Sequence, residues 1–414
     1  MLTHYLIPVD TQSQHPFCDC RVTLLNTREK TMKTSKNTIK KHAMRTALAT
    51  AIVGSISSQT AIAVEFVDAM TSGDGYVNFN LRYESADQDN ALEDASSLTL
   101  RTLLGYETGS YHGFSGKIEM EDSRIVMGQG DYTVGPTGYN VGQYSVIADP
   151  ETTELDQGYI QYKNDVFSAK LGRQYITFDG HRFVGHVGWR QDWQSFDAFS
   201  TKYTPNEDLT LSYAYINQRN RIFAEEANVD SKDHLLNASY NTEYGKLVAY
   251  SYLLEEDNNT NKIIDTYGFS FTGDTKAGNT KILYAAEYAT QTQETGTTEF
   301  DADYLNLQAG AVISGITAKV GYEVLGSDDG AFGFATPLST LHKFNGWSDQ
   351  FLATPVEGLV DTTFTLSGRL FNGEWTAVYH QFNADDASET VDDLGTEINL
   401  QYVKKYGKHY TFPF

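Results

Sequence analysis

Residues 316–325 read ITAKVGYEVL, and this stretch decides the fold. Ile316, Ala318, Val320, Tyr322 and Val324 take every second position, while Thr317, Lys319, Gly321 and Glu323 take the others. A repeat of two puts all the apolar side chains on one face of an extended strand. The same alternation recurs on both sides. Upstream, Val77, Phe79, Leu81 and Tyr83 alternate with Asn78, Asn80 and Arg82; Leu98, Leu100, Thr102, Leu104 and Tyr106 alternate with Thr99 and Arg101. Phe114, Ile118 and Met120 oppose Ser115, Lys117 and Glu119. Further apolar rows are Leu209 to Tyr215, Val248 to Leu254, Tyr267 to Phe271 and Ile282 to Tyr288. Downstream come Phe364 and Leu366, Trp375 and Tyr379, and Ile398, Leu400 and Tyr402.

Two features set the class. The strands run about 9–12 residues, the length needed to cross a bilayer at a tilt. The second face is often charged: Arg101, Lys117, Lys319, Glu323 and Arg369. A single strand of a soluble sandwich alternates in the same way, but repetition along the whole chain, with 27 Tyr, favours lipid outside and water inside. The expectation is an all-β, transmembrane, antiparallel β-barrel of about 16–18 strands.

The chain has 414 residues and a net charge of −23, with only 8 Pro. Downstream of the N-terminal region nothing is apolar for the roughly 20 residues of a membrane helix, which excludes a helical membrane protein. Met32 opens a basic run, MKTSKNTIKKHAMR, followed by small and apolar residues and by Ala61-Ile62-Ala63. That pattern reads as an export signal over 32–63, cleaved after Ala63. Residues 1–31 read as an extension from an upstream start, and 64–414 as one barrel domain. Cys18 and Cys20 both fall in the extension, so the mature chain would hold no cysteine. Removing 1–63 takes away 8 Lys/Arg and 3 Asp/Glu, leaving 23 against 51, or −28. So acidic a chain does not suit nucleic acid.

Short links at 241–245 and 272–278 suit the periplasmic side. Longer acidic or Gly-rich runs at 128–154, 217–233, 255–263, 291–303 and 326–358 suit the outside. No catalytic constellation stands out. His186 and Ser195 could form a pair, but no G-x-S-x-G accompanies them. Asp328-Asp329, Asp385-Asp386 and Asp392-Asp393 read as solvated loop charge, and no metal site or cofactor is expected.

The cations say more. Residues 171–199, LGRQYITFDGHRFVGHVGWRQDWQSFDAF, form a basic island in an acidic chain, with Gly180, Gly185 and Gly188 expected to let the backbone turn. Arg173, Arg182 and Arg190 there, with Arg82, Arg101, Lys117, Lys170 and Arg369 on the apparent inward faces, could form a positive ladder along a lumen. Asp197 is an acidic partner for it. Rings of Arg and Lys select anions by replacing lost hydration.

The stretch 171–199 and a second one, GFATPLSTLHKFNGWSDQFLATPVEGLVD at 333–361, resemble the two signature regions of the alginate export family of outer-membrane barrels. The resemblance implies an eighteen-stranded monomer in a Gram-negative outer membrane, with lipid and lipopolysaccharide around it. It also implies passage of an anionic polysaccharide or oligouronate through an electropositive constriction. Carried onto this chain, that constriction would involve Arg173, Arg182, Arg190 and Arg369, with Asp197, and a pore loop with His342 and Lys343. The expected function is a passive channel for anionic solutes. The alternatives are a barrel hydrolase acting on lipid or polysaccharide and an uptake porin for small oligosaccharides. One departure from the pattern stands at the end: the last full strand, near 396–403, is followed by only a short segment with Pro413, which removes a ladder hydrogen bond.

Overall fold

The computed structural model describes residues 56–135, 140–260, 262–388, 391–407 and 410–413. The extension 1–31, with Cys18 and Cys20, and residues 32–55 of the expected export signal lie outside the described residues. A helix, α1 (Ile56–Thr71), runs across the expected cleavage point. Among the described residues no helix is long and apolar enough to cross a membrane.

Strands follow from there. The first six are β1 (Asp74–Ala86), β2 (Ala95–Glu107), β3 (Phe114–Asp131), β4 (Thr152–Lys163), β5 (Phe167–Gln174) and β6 (Ser195–Tyr203). Next come β7 (Leu209–Asn220), β8 (Val229–Thr242), β9 (Gly245–Glu255), β10 (Lys262–Ala277), β11 (Thr280–Thr295), β12 (Thr298–Ile313) and β13 (Ile316–Leu325). A two-residue hairpin, β14 (Ser327–Asp328) with β15 (Phe332–Gly333), sits apart. The last are β16 (Leu359–Leu370), β17 (Gly373–Asn383), β18 (Asp393–Tyr406) and β19 (Tyr410–Pro413). Each pairs antiparallel with the next, β13 with β16, giving a seventeen-stranded sheet among the described residues. That lies within the expected range.

The sheet is inverted relative to a soluble protein. Leu81 and Leu171 are each 65% exposed and Ile398 70%, whereas Arg101 is 3% exposed, Glu121 1% and Asp233 0%. An apolar outer face in contact with lipid and a charged inner one is the barrel arrangement. β9 departs from its sequence reading. Val248, Tyr250, Tyr252 and Leu254, expected on the outer row, are buried and point inward, and Leu247 is exposed instead. Inside they meet Phe178, Phe183 and Phe334, so the lumen here contains an apolar core. Both faces of β9 meet apolar surroundings, and its sequence could not say which was which.

Links at one end are tight, with two residues between β8 and β9, β10 and β11, β12 and β13, and β16 and β17. The other end carries the long connections 132–151, 175–194, 221–228 and 326–358. The run 291–303, expected there as a loop, is almost all strand: β11 reaches Thr295 and β12 restarts at Thr298. The terminal β19 pairs only four residues with β18, Tyr410–Pro413 against Val403–Tyr406. Among the described residues no register joins it to β1.

Candidate functional site

Two of the long connections, 175–194 and 326–358, fold into the barrel and dock on one another, and they carry most of the stretches 171–199 and 333–361. Val184 bridges to Leu338, and the Gly185 amide donates to the Leu338 carbonyl at 2.8 Å. The Thr340 amide donates to the His181 carbonyl at 3.1 Å, and the Val187 amide to Thr340 Oγ1 at 3.3 Å. Gln194 donates to the carbonyls of Gly185 and Leu338, and Arg221, from 221–228, donates to the Pro337 carbonyl at 2.9 Å. This is a stitched inner body, with its buried backbone groups paired.

Glycine's part in it differs from the expectation. The left-handed positions are Asp179 (φ 49), His181 (φ 66) and Val187 (φ 54), not Gly180, Gly185 or Gly188. Gly185 serves close approach instead, since a Cβ there would lie 2.1 Å from Thr340 Oγ1. Val187 is a β-branched residue in a region such residues avoid, held there by Thr340 on one side and the surrounding core on the other.

The cations of the stretch are buried and paired. Arg190 reaches Glu84 on β1 at 2.8 Å, Asp349 at 3.2 Å and Asp149 at 3.8 Å. Arg82 shares Glu84 at 2.6 Å and Asp149 at 3.3 Å. The Trp189 ring lies between them, 3.9 Å from the Arg190 guanidinium and 4.8 Å from that of Arg82, with His342 at 3.6 Å. His342 Nδ1 faces Asp349 at 2.6 Å. Glu397 on β18 takes the amides of Trp347 and Ser348. Through Glu397, Asp349, Arg190 and Glu84, the inner body bridges the last long strand to the first.

A second centre forms around Arg182. Its Nε donates to Glu323 at 2.8 Å, and Tyr304 and Asn345 donate to the same carboxylate at 2.6 and 2.7 Å. Asn345 continues to Asp361, which faces His380 at 3.0 Å. Burying charges costs several kcal/mol each, roughly, unless they are paired and hydrogen-bonded as here.

The ladder is therefore largely neutralised. Arg173 and Asp197 are partners at 2.6 Å, but in register they lie two residues beyond the exposed pair Leu171 and Phe199, and share its outward face. They do not line the lumen. Arg369 has an 84% exposed side chain paired with Glu374 beside the β16–β17 turn, far along the strand from the inner body. Lys117 pairs with Glu119 at 3.3 Å, and Lys170 lies 4.5 Å over the Tyr159 ring. Arg101 donates to Asn78 and stacks 4.2 Å over Trp193. Lys343 donates to the Gly180 carbonyl at 3.1 Å.

Among the described residues the lumen holds cavities of about 370 Å³ and 660 Å³. The smaller lies against the inner body and includes Arg182, Lys343, Glu287 and Trp347 in its lining; the larger lies toward the tight-turn end. Lys319, from the strand that decided the fold, borders both. The sequence placed it on the inward face but gave no reason to single it out.

His186 is packed against Tyr175, Trp193 and His181. Burial, with His181, Arg101 and Lys343 nearby, pushes its proton affinity down to about 3. Ser195 is likewise buried, at the start of β6. Among the described residues no group of acidic, His or Cys side chains has the geometry to hold a metal ion.

A family model described as alginate export matches residues 18–325. No curated protein matches the chain. Among solved structures, Acinetobacter baumannii OccAB1 is similar with a TM-score of 0.64 at 10% identity, over 83% of this chain and 90% of that one. Pseudomonas aeruginosa OpdO is similar at 0.60 and 12%, over 82% and 87%. P. aeruginosa OpdK, crystallised with vanillate, is similar at 0.57 and 11%, over 80% and 85%. At such identities the likeness establishes the fold, that of outer-membrane barrel porins.

Proposed function

The chain belongs to the alginate export family, and on that premise we propose that it is a passive outer-membrane channel for anionic solutes, acidic saccharides such as alginate among them. The observation that carries the reading is Lys319. It borders both lumenal cavities, and among the described residues no carboxylate pairs with it. A lumenal ammonium attracts carboxylates and replaces part of their lost hydration. The four carboxylates on the smaller cavity are already engaged: Glu323 with Arg182, Asp179 with Lys246, Asp361 with His380, and Glu287 with the Tyr250 hydroxyl. They oppose an anion less than free carboxylates would. A fold relative, OpdK, was crystallised with vanillate, itself a carboxylate, and that chemistry suits Lys319.

No turnover, cofactor or second subunit enters this reading. A His186 imidazole with its proton affinity near 3 is a poor base at neutral pH, which weakens the hydrolase alternative. The working unit is a monomer set in outer-membrane lipid and lipopolysaccharide.

The test is planar-bilayer recording of the refolded protein in a salt gradient. Wild type should show an anion-selective reversal potential, and Lys319→Glu should shift it toward cations. Oligouronates should block current at concentrations where neutral oligosaccharides of equal length do not. A cation-selective wild type, with Lys319→Glu giving the same potential, would reject the proposal.

A further inference from the structure

Outside the lumen, the helix that precedes the first strand carries an exposed apolar face among the described residues. Residues 64–71 of α1 are held at the tight-turn end of the barrel. The Gly109 amide donates to the Ala69 carbonyl at 2.9 Å, and the Tyr106 hydroxyl to the Met70 carbonyl at 2.6 Å. Tyr106 belongs to the outward row of β2, two residues beyond the exposed Leu104, so α1 is fixed to the outside of the wall rather than to its lumen. Phe66 stands edge-on to Tyr111, at 5.7 Å.

At 100° per residue, Val64, Phe66, Val67 and Met70 share one arc of the helix, and Glu65 and Asp68 lie on the other. Val64, Phe66 and Val67 are 58%, 48% and 55% exposed. Among the described residues only the Tyr111 ring, against Phe66, packs on this arc. Through Tyr111, whose backbone pairs with that of the exposed Phe114, the arc connects to the apolar outer surface of the wall, where the Phe114 and Tyr162 rings lie 5.0 Å apart. Aromatic rings at this level mark the edge of the hydrocarbon.

We propose that residues 64–71 lie in the headgroup region of the periplasmic leaflet, with Val64, Phe66 and Val67 seated on phospholipid and Glu65 and Asp68 in water. A helix with one apolar and one charged face is stable in that plane. The tight-turn end is the periplasmic end of an outer-membrane barrel, which places the helix at the inner leaflet. The two acidic side chains disfavour anionic headgroups, so the partner is a zwitterionic phospholipid surface. The inference rests on the outer-membrane placement and not on the channel's cargo. Its failure would leave the Lys319 measurement untouched.

The experiment uses residues 64–414, the chain left by the expected cleavage after Ala63, which holds no cysteine, reconstituted in phosphatidylcholine vesicles. A nitroxide is attached in turn at Val64→Cys, Val67→Cys and Asp68→Cys, and heat-modifiable mobility on gels confirms that each variant is folded. Spin relaxation by oxygen, which concentrates in lipid, is compared with relaxation by a water-soluble nickel chelate. The oxygen-to-nickel ratio at 64 and 67 should exceed that at 68 by about fivefold or more. Equal ratios at 67 and 68 would overturn the proposal, because the apolar arc would then face water. Shielding of 67 from both reagents would overturn it equally, because protein would then cover the site.

Discussion

At the scale of single residues, burial changed the meaning of most of the charged side chains the sequence displayed. Arg182 and Arg190 do lie inward, but as halves of ion pairs with Glu323 and Glu84. Strand parity could place a cation on a face; it could not show which carboxylate, more than 100 residues away in sequence, would meet it. His186 gives a test at this scale. Folded, its imidazole stays neutral down to about 3, whereas an unfolded histidine takes up its proton near 6.5. Between those values the unfolded chain binds the extra proton, so stability is lost as pH falls below 6.5, by at most about 1.4 kcal/mol per pH unit. Urea midpoints at pH 7.5 and 4.5 should therefore converge in His186→Gln relative to wild type. An unchanged gap would exclude His186 as a source of the pH dependence.

At the scale of elements, the two inward connections act as one body because their backbones touch. Gly185 makes that approach possible, since a methyl there would clash with Thr340 Oγ1. Gly185→Ala should push the stretches apart at a cost of about 1–3 kcal/mol. Single-channel recordings should then show a larger and noisier conductance while the barrel still folds. A conductance trace identical to wild type would mean that the docked pair does not limit passage. The same inner body explains the reversed facing of β9. Tyr252 stacks on Phe178 with the rings nearly parallel, 2° apart, so the inward row of this strand joins the buried apolar cluster that Phe196, Leu235 and Tyr304 also build. A period-two pattern reports that two faces differ, and on β9 the apolar row belonged to the core.

At the scale of the whole molecule, the outer face controls whether the protein assembles. Leu81, midway along β1 and 65% exposed, sits where lipid must be. Leu81→Arg should cost roughly 2–4 kcal/mol of folding free energy in vesicles, measured by denaturant titration with lipid present. A cost below about 1 kcal/mol would place that position at the membrane surface rather than within its core. The sequence by itself determined the class, because the alternation of lipid-facing and lumen-facing side chains is a local property, written into every strand. It also pointed to the family: the stretch 171–199 lies within the residues the family model matches, 18–325. Only the tertiary structure decided what the stretches 171–199 and 333–361 do: they leave the wall, dock on each other through Gly185 and Thr340, and place their cations against carboxylates of distant strands. It alone set Arg173 and Asp197 on the outer face and singled out Lys319. The physical reason is that facing follows from neighbouring residues along one strand. Pairing of buried charge depends instead on which distant segments the fold brings into contact, and nothing local in the sequence encodes that.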